Sequence, residues 1–341
     1  VMFVSVGTAV LLLEIVLNLY FVVMLELHVT GVVYSTVISG VLLATGLSLF
    51  LISRNGLRYS WKLAAEITRF AVPLIMAALG SIYVTFANRY FLRRFGSLED
   101  VGLFALAARL SSVLGVAFEA FNLSWVADRF EIVKKDNARE IYGQFFRFVS
   151  AIILLAGAGL AIFADDFFHI MTDPVFFPAA QLVPILVVAS FFRMCGGFCN
   201  FGAIYKRQTR VFAQASWSKA FIATAVFLLL IPPMGVYGAA IGLLLGNVVE
   251  FAWIYRRSTA LYDMGLQWRP VLLMTASAVF FTLITLPLPA GELGSFMLRL
   301  LAYAMLVLLM CVLPVWRPDE RDMVKNAFLT LLRRRVPESR G

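Results

Sequence analysis

Apolar residues gather along this chain into long runs, each closed by a short polar break and followed by another run. The hydrocarbon core of a bilayer is about 30 Å thick and takes roughly 20 apolar residues per helix, so each run predicts a membrane-spanning helix. Ten are read, at 3–25, 31–53, 70–88, 103–125, 148–164, 181–203, 213–231, 237–255, 271–287 and 295–316. The expected fold class is all-α, a polytopic transmembrane helix bundle.

Composition sharpens this into an exclusion. The 341 residues are 61% hydrophobic and 14% charged, with a mean hydropathy of +0.88, whereas soluble domains carry about a quarter charged residues. A water-soluble globule cannot hide that much apolar surface. Three cysteines, two of them (Cys195 and Cys199) four apart in one run, offer neither a disulfide framework nor a zinc site and read as helix packing. The two histidines, His28 and His169, fall in predicted turns, where no nucleophile–base pair or metal site is visible. No glycine-rich phosphate loop is present, which argues against direct ATP drive. Neither catalytic residues, metal nor cofactor are expected.

The net charge of +9 raises nucleic acid as a partner until the cations are placed. One alternating set of breaks holds Arg54, Arg58, Lys62, Arg69; Arg129, Lys134, Lys135, Arg139, Arg147; Lys206, Arg207, Arg210; and Arg256, Arg257, Arg269. The tail adds Arg317, Arg321, Lys325, Arg333, Arg334, Arg335 and Arg340, while the intervening breaks hold only Arg89, Arg93 and Arg94. The positive-inside rule puts the rich set in the cytoplasm. That orientation leaves the C-terminus inside and the turns at 165–180, 232–236 and 288–294 outside, and it accounts for the charge without nucleic acid. Ten spans then require an inside N-terminus, yet the chain starts almost directly in a span, and further upstream sequence is expected.

Two hairpins resemble each other. Val29, Gly31, Ser35 and Ser39 correspond to Val236, Gly238, Gly242 and Gly246 at a constant offset of 207 residues. Small residues at every fourth position make a smooth stripe for close helix packing, and transporters are often built from repeats. Both hairpins run inside to outside and back, a parallel duplication. The expected organisation is therefore a last hairpin of an N-terminal lobe (1–53), a cytoplasmic inter-lobe linker (54–69), a six-helix C-terminal lobe (70–257), an extra terminal helix pair (258–316) and a basic cytoplasmic tail (317–341). Completing the first lobe requires four preceding helices.

The runs Phe86-Ala-Asn-Arg-Tyr-Phe-Leu92, Val101-Gly-Leu-Phe-Ala-Leu-Ala-Ala-Arg-Leu110, Ala120-Phe-Asn-Leu-Ser-Trp125 and Gly235-Val-Tyr-Gly-Ala-Ala-Ile-Gly242 resemble the bacterial O-antigen and exopolysaccharide flippases of the multidrug/oligosaccharidyl-lipid/polysaccharide exporter superfamily. The chain departs from that pattern at Asn88, where the family usually carries Asp, and at Ala127, where it usually carries Pro. The resemblance implies two six-helix lobes around a central cavity, fourteen helices in all. It also implies alternating access in the bacterial inner membrane, carrying a polyprenyl-diphosphate-linked oligosaccharide outward for surface polysaccharide biosynthesis. Expected partners are bilayer lipid, that lipid-linked glycan and polysaccharide assembly proteins.

Charges inside the runs are the candidates for the work, because a charge in hydrocarbon is costly and generally faces water or protein. Arg193 lies twelve residues into its run, roughly 18 Å deep. Arg109, about 9 Å below the outer face, sits where the family commonly carries Lys or Arg. Guanidinium groups suit phosphate oxygens, so Arg109, Arg193 and Lys219 are read as substrate-binding cavity cations. The other reading pairs them with buried carboxylates, and Glu250 at the level of Lys219 makes such a pair there equally natural. Arg299 is expected to reach headgroups. Glu14 and Glu119 are candidates for ion coupling, against plain hydrogen bonding between helices, and Asn18 and Asn122 carry the same ambiguity. The segment 126–147 reads as an amphipathic cytoplasmic helix near the headgroups, and Asp165, Asp166 and Asp173 as a solvated acidic turn that could also hold a cation. The alternatives to a flippase are an ion-coupled multidrug antiporter of the same superfamily, which would favour carboxylates over arginines, and a membrane-embedded polysaccharide-processing enzyme.

Overall fold

The structure is a computed structural model that describes residues 2–56 and 60–312. The described residues form helices and no strand. They run α1 (Met2–Asn18, continued by the π-helical turn Leu19–Met24), α2 (His28–Asn55), α3 (Trp61–Phe95), α4 (Leu98–Ile132), α5 (Ala138–Ile162) and α6 (Ala164–Met171). After a 3-10 segment at Pro174–Leu182 come α7 (Val183–Cys199), α8 (Phe201–Tyr205), α9 (Arg210–Met234), α10 (Val236–Leu261), α11 (Trp268–Thr285) and α12 (Leu293–Val312). Ten helical segments among them are long and apolar enough to cross a membrane, and they match the ten expected runs one for one. Leu123, Val116, Phe221, Leu229 and Leu272 stand exposed on these helices. A surface of that kind requires lipid as its solvent, and the protein is a multi-pass helical membrane protein.

The helices divide into two compact units between Ile67 and Thr68, a point inside α3. In the first unit α1 and α2 form a hairpin. A Cβ on Gly31 would meet the backbone of Phe21 at 3.0 Å, while Ser35 Oγ donates to Asn18 Oδ1 at 2.8 Å and Thr36 Oγ1 to Glu14 Oε1 at 2.9 Å. Ser35 and Ser39 are buried.

The second hairpin, α9 and α10, uses its small residues the same way. Gly235 turns the chain in the left-handed region at φ +53°. A Cβ on Gly238 would run into the Leu230 carbonyl, one on Gly242 would lie 2.5 Å from the Phe227 ring, and one on Gly246 would lie 3.2 Å from Lys219 Cγ. Each stripe therefore packs against the helix that precedes it. The expected outer turn at 232–236 shrinks to Gly235, because α9 continues through Pro232 and Pro233 to Met234.

Around this hairpin α10 packs on α7, α7 on α4 and α5, and α5 on α11 and α12. Trp125 stacks on Phe198 with ring centroids 4.8 Å apart, and Phe146 meets Phe198 at 5.3 Å and Trp268 at 4.8 Å. Truncating a fully buried tryptophan of this kind costs about 3–5 kcal/mol. The terminal pair α11–α12 shares this core through Met274 and Leu306, and Tyr303 Oη donates to the Leu155 carbonyl at 3.3 Å. Cys195 and Cys199 are buried in the same core, in keeping with a packing role.

Four expectations change. The linker expected at 54–69 narrows to the interval between Asn55 and Trp61, because α3 starts well ahead of residue 70. The amphipathic helix expected at 126–147 does not stand alone: α4 passes Ala127 without interruption to Ile132, and α5 already begins at Ala138. The cause is periodic burial of Trp125, Ile132, Ala138, Tyr142 and Phe146, which extends both membrane helices into the break. Arg129 and Arg147, assigned to the headgroup side, are likewise buried. Arg129 donates to Asn200 Oδ1 at 2.9 Å and lies over the rings of Phe130 and Phe201; burial pushes its pKa down, with Tyr142 opposing. Arg147 donates to Gln267 Oε1 at 2.8 Å.

Arg299 is the fourth. It does not reach headgroups but is 1% exposed, its guanidinium closing on Asp166 Oδ2 at 2.7 Å, Asp165 Oδ2 at 3.0 Å and the Leu288 carbonyl at 2.7 Å. Asp165 and Asp166, expected with Asp173 in a solvated acidic turn, lie instead in α6, and Asp166 is buried against this arginine. The basic tail at 317–341 lies outside the described residues.

Candidate polar cavity

Within the second unit, α3, α4, α7, α9 and α10 surround a cavity of about 420 Å³. α3 is held there by small and hydroxyl residues: Ser216 Oγ on α9 donates to the Ala77 carbonyl at 2.7 Å, a Cβ on Gly80 would stand 2.7 Å from that same Oγ, and Thr209 Oγ1 donates to the Phe70 carbonyl at 3.0 Å. α4 begins with a capping box, Asp100 N–H to Ser97 Oγ at 3.0 Å and Ser97 N–H to Asp100 Oδ2 at 2.8 Å. Asn247 Nδ2 donates to the Ala189 carbonyl at 2.8 Å and so joins α10 to α7.

The polar lining is unusual for a space between apolar helices. It includes Ser81, Ser111, Ser112, Arg193, Lys219, Asn247 and Glu250, with Phe192 and Phe251 as apolar wall. Lys219 Nζ lies 2.9 Å from Glu250 Oε2, and both side chains are largely shielded, at 7% and 16% exposure. Arg193 differs. It is exposed and lines this space, and among the described residues no carboxylate pairs with it. Its Nη2 lies across α4 at Gly115, 2.7 Å from where a Cβ would be. Asn200, at the break between α7 and α8, belongs to the same lining and is the acceptor for Arg129.

Arg109 does not join this cavity. It lines a separate hollow of about 730 Å³ with Gly102, Thr172, Asp173 and Phe176, and it too forms no ion pair among the described residues. Of the three expected cavity cations, the structure brings Arg193 and Lys219 together and sets Arg109 apart, because Arg109 is six residues ahead of Gly115 on α4, about 9 Å along the axis.

The coupling candidates also separate. Glu14 and Asn18 belong to the first unit and hydrogen-bond to Thr36 and Ser35. Glu119 is exposed on α4 and accepts from Asn122 Nδ2 at 3.4 Å. Among the described residues no group of three His, Cys, Asp or Glu side chains is placed to hold a metal ion.

Sequence reasoning missed Gly115, Asn247 and the lining serines Ser81, Ser111, Ser112 and Ser190. The serines and Asn247 carried a faint signal, as polar residues inside apolar runs. Gly115 carried none, since its role depends on where a side chain from another helix comes to rest. No protein-family model matches the chain, and no curated protein matches it.

Proposed function

We propose that this chain belongs to a transporter that flips a polyprenyl-diphosphate-linked oligosaccharide across the bacterial cytoplasmic membrane for surface polysaccharide biosynthesis, with the C-terminus cytoplasmic. The observation that carries the reading is Arg193: a guanidinium with no carboxylate partner among the described residues, deep in a membrane helix, opening on a cavity lined by hydroxyl and amide groups. An uncompensated cation in hydrocarbon is costly unless it borders water or meets an anion. The planar fork of arginine suits phosphate oxygens two at a time, and a diphosphate head crossing the membrane needs such groups to replace its hydration. The likeness of 86–125 and 235–242 to the polysaccharide flippases supports the same substrate class. Carriage, rather than chemistry, is the reading favoured by a cavity of hydroxyls and amides around one ion pair.

Deletion of the gene tests this. It should make the lipid-linked repeat unit accumulate on the cytoplasmic leaflet and remove the corresponding polysaccharide from the cell surface, with Arg193→Gln reproducing both effects at normal membrane abundance. Intact surface polysaccharide with no accumulated precursor would overturn the reading.

A further inference from the structure

The cavity has two cations, and one of them is already occupied by an anion of the protein itself. Lys219 is buried, its stem packed against Gly246, and its ammonium is held by Glu250 at 2.9 Å. Both residues face the cavity that Arg193 opens into. A single net positive charge therefore faces the cavity, although two cations line it. Two bare cations side by side among apolar helices would be strongly unfavourable, and a lone arginine would be a weak match for an anion carrying more than one charge.

We propose that Glu250 is a resident stand-in for the ligand's phosphate. In the empty cavity its carboxylate occupies Lys219; an incoming phosphate or diphosphate head lies between Arg193 and Lys219 and displaces it; when the head departs, Glu250 returns to Lys219. The carboxylate is tethered four residues from Gly246 on the same helix, so it competes at high effective concentration. A transport site has to let go as well as bind. An internal competitor weakens the loaded state and hastens release, at the expense of affinity. The inference rests on the anion-transport reading above and adds a specific division of labour: Arg193 attracts, Lys219 clamps, and Glu250 ejects.

The test is a titration of the purified protein in nanodiscs with inorganic pyrophosphate and, in parallel, with geranyl diphosphate. Glu250→Gln should bind both probes about tenfold tighter than the unaltered protein, a change of roughly 1.4 kcal/mol. Lys219→Met should bind them about tenfold more weakly, and Lys219→Met/Glu250→Met should match Lys219→Met, because there is nothing left for the carboxylate to block. If Glu250→Gln lowers the melting temperature, Glu250→Asp, one methylene shorter, takes its place and should also tighten binding. Arg193-dependent binding that Glu250→Gln and Glu250→Asp leave unchanged or weaken overturns the stand-in role and leaves the transport reading in place. Failure of the unaltered protein to bind either probe overturns both. Tighter binding of geranyl diphosphate than pyrophosphate assigns the site to a lipid-linked head, and equal affinity assigns it to free phosphate.

Discussion

The guanidinium of Arg193 on α7 rests across Gly115 on α4, its Nη2 2.7 Å from the place a Cβ would occupy. The contact is with the free end of a flexible side chain, so a methyl group there would push the arginine away without disturbing either backbone. Gly115→Ala is expected to leave the protein in the membrane at normal abundance and to lower polysaccharide export on the order of tenfold to a hundredfold, the range that small misplacements of a positioning group produce. Export assayed alongside immunoblots of membrane fractions checks it; unchanged export would show that the position of Arg193 is immaterial.

The forked geometry of Arg193 should matter beyond its charge. Arg193→Gln is expected to abolish export, while Arg193→Lys should retain a small fraction of it, because an ammonium supplies the charge without the paired donors. Equal activity of the lysine and arginine forms would reduce the site to a point charge.

Because Arg109 and Arg193 open on different hollows, their removal should act independently. The free-energy effects of Arg109→Gln and Arg193→Lys on export, the second chosen because it keeps a measurable rate, are expected to sum within about 0.5 kcal/mol in the double variant. A coupling well above that, measured by a double-mutant cycle, would show that one anion bridges both.

Arg299 should behave as a structural residue. With its side chain 2% exposed against Asp166 at 10%, Arg299→Met strands a buried carboxylate, and loss of one partner of a buried pair costs about 3–5 kcal/mol. The melting temperature in detergent should fall clearly, and Arg299→Met/Asp166→Asn should recover much of the loss. No recovery would mean that packing, and not charge, is what Arg299 contributes.

The two glycine stripes can be told from ordinary helix glycines. Gly238→Ala drives a methyl group into the Leu230 carbonyl, whereas a Cβ on Gly40 meets nothing within 4 Å. The first is expected to deplete the protein from the membrane and the second to leave its abundance unchanged, as read by quantitative immunoblotting.

The ten membrane helices were legible because hydrocarbon imposes a length and a composition on anything that crosses it, and 181–203 or 237–255 satisfy both without any knowledge of their neighbours. The Lys219–Glu250 pair was legible for a related reason: each residue had a depth, and the depths agreed. Depth along a helix is written in sequence, but the direction a side chain takes around the axis is decided by packing. That is why Arg109 and Arg193 looked like companions and proved to be apart, and why Arg299, close to the first end of α12, was given to headgroups when Asp165 and Asp166 of another helix were waiting for it. The segment at 126–147 was misjudged on its charges. Arg129 and Arg147 find Asn200 and Gln267 inside the protein, partners more than seventy residues distant that no local pattern announces.

The clasp of Arg299 on Asp165 and Asp166 also constrains how the unit can change shape. It ties α12 to the short α6, and through α6 to the chain that descends into α7, so these three helices are fastened at one rim. Any shift of α12 against α6 has to break that clasp and leave its charges without their partners among apolar helices.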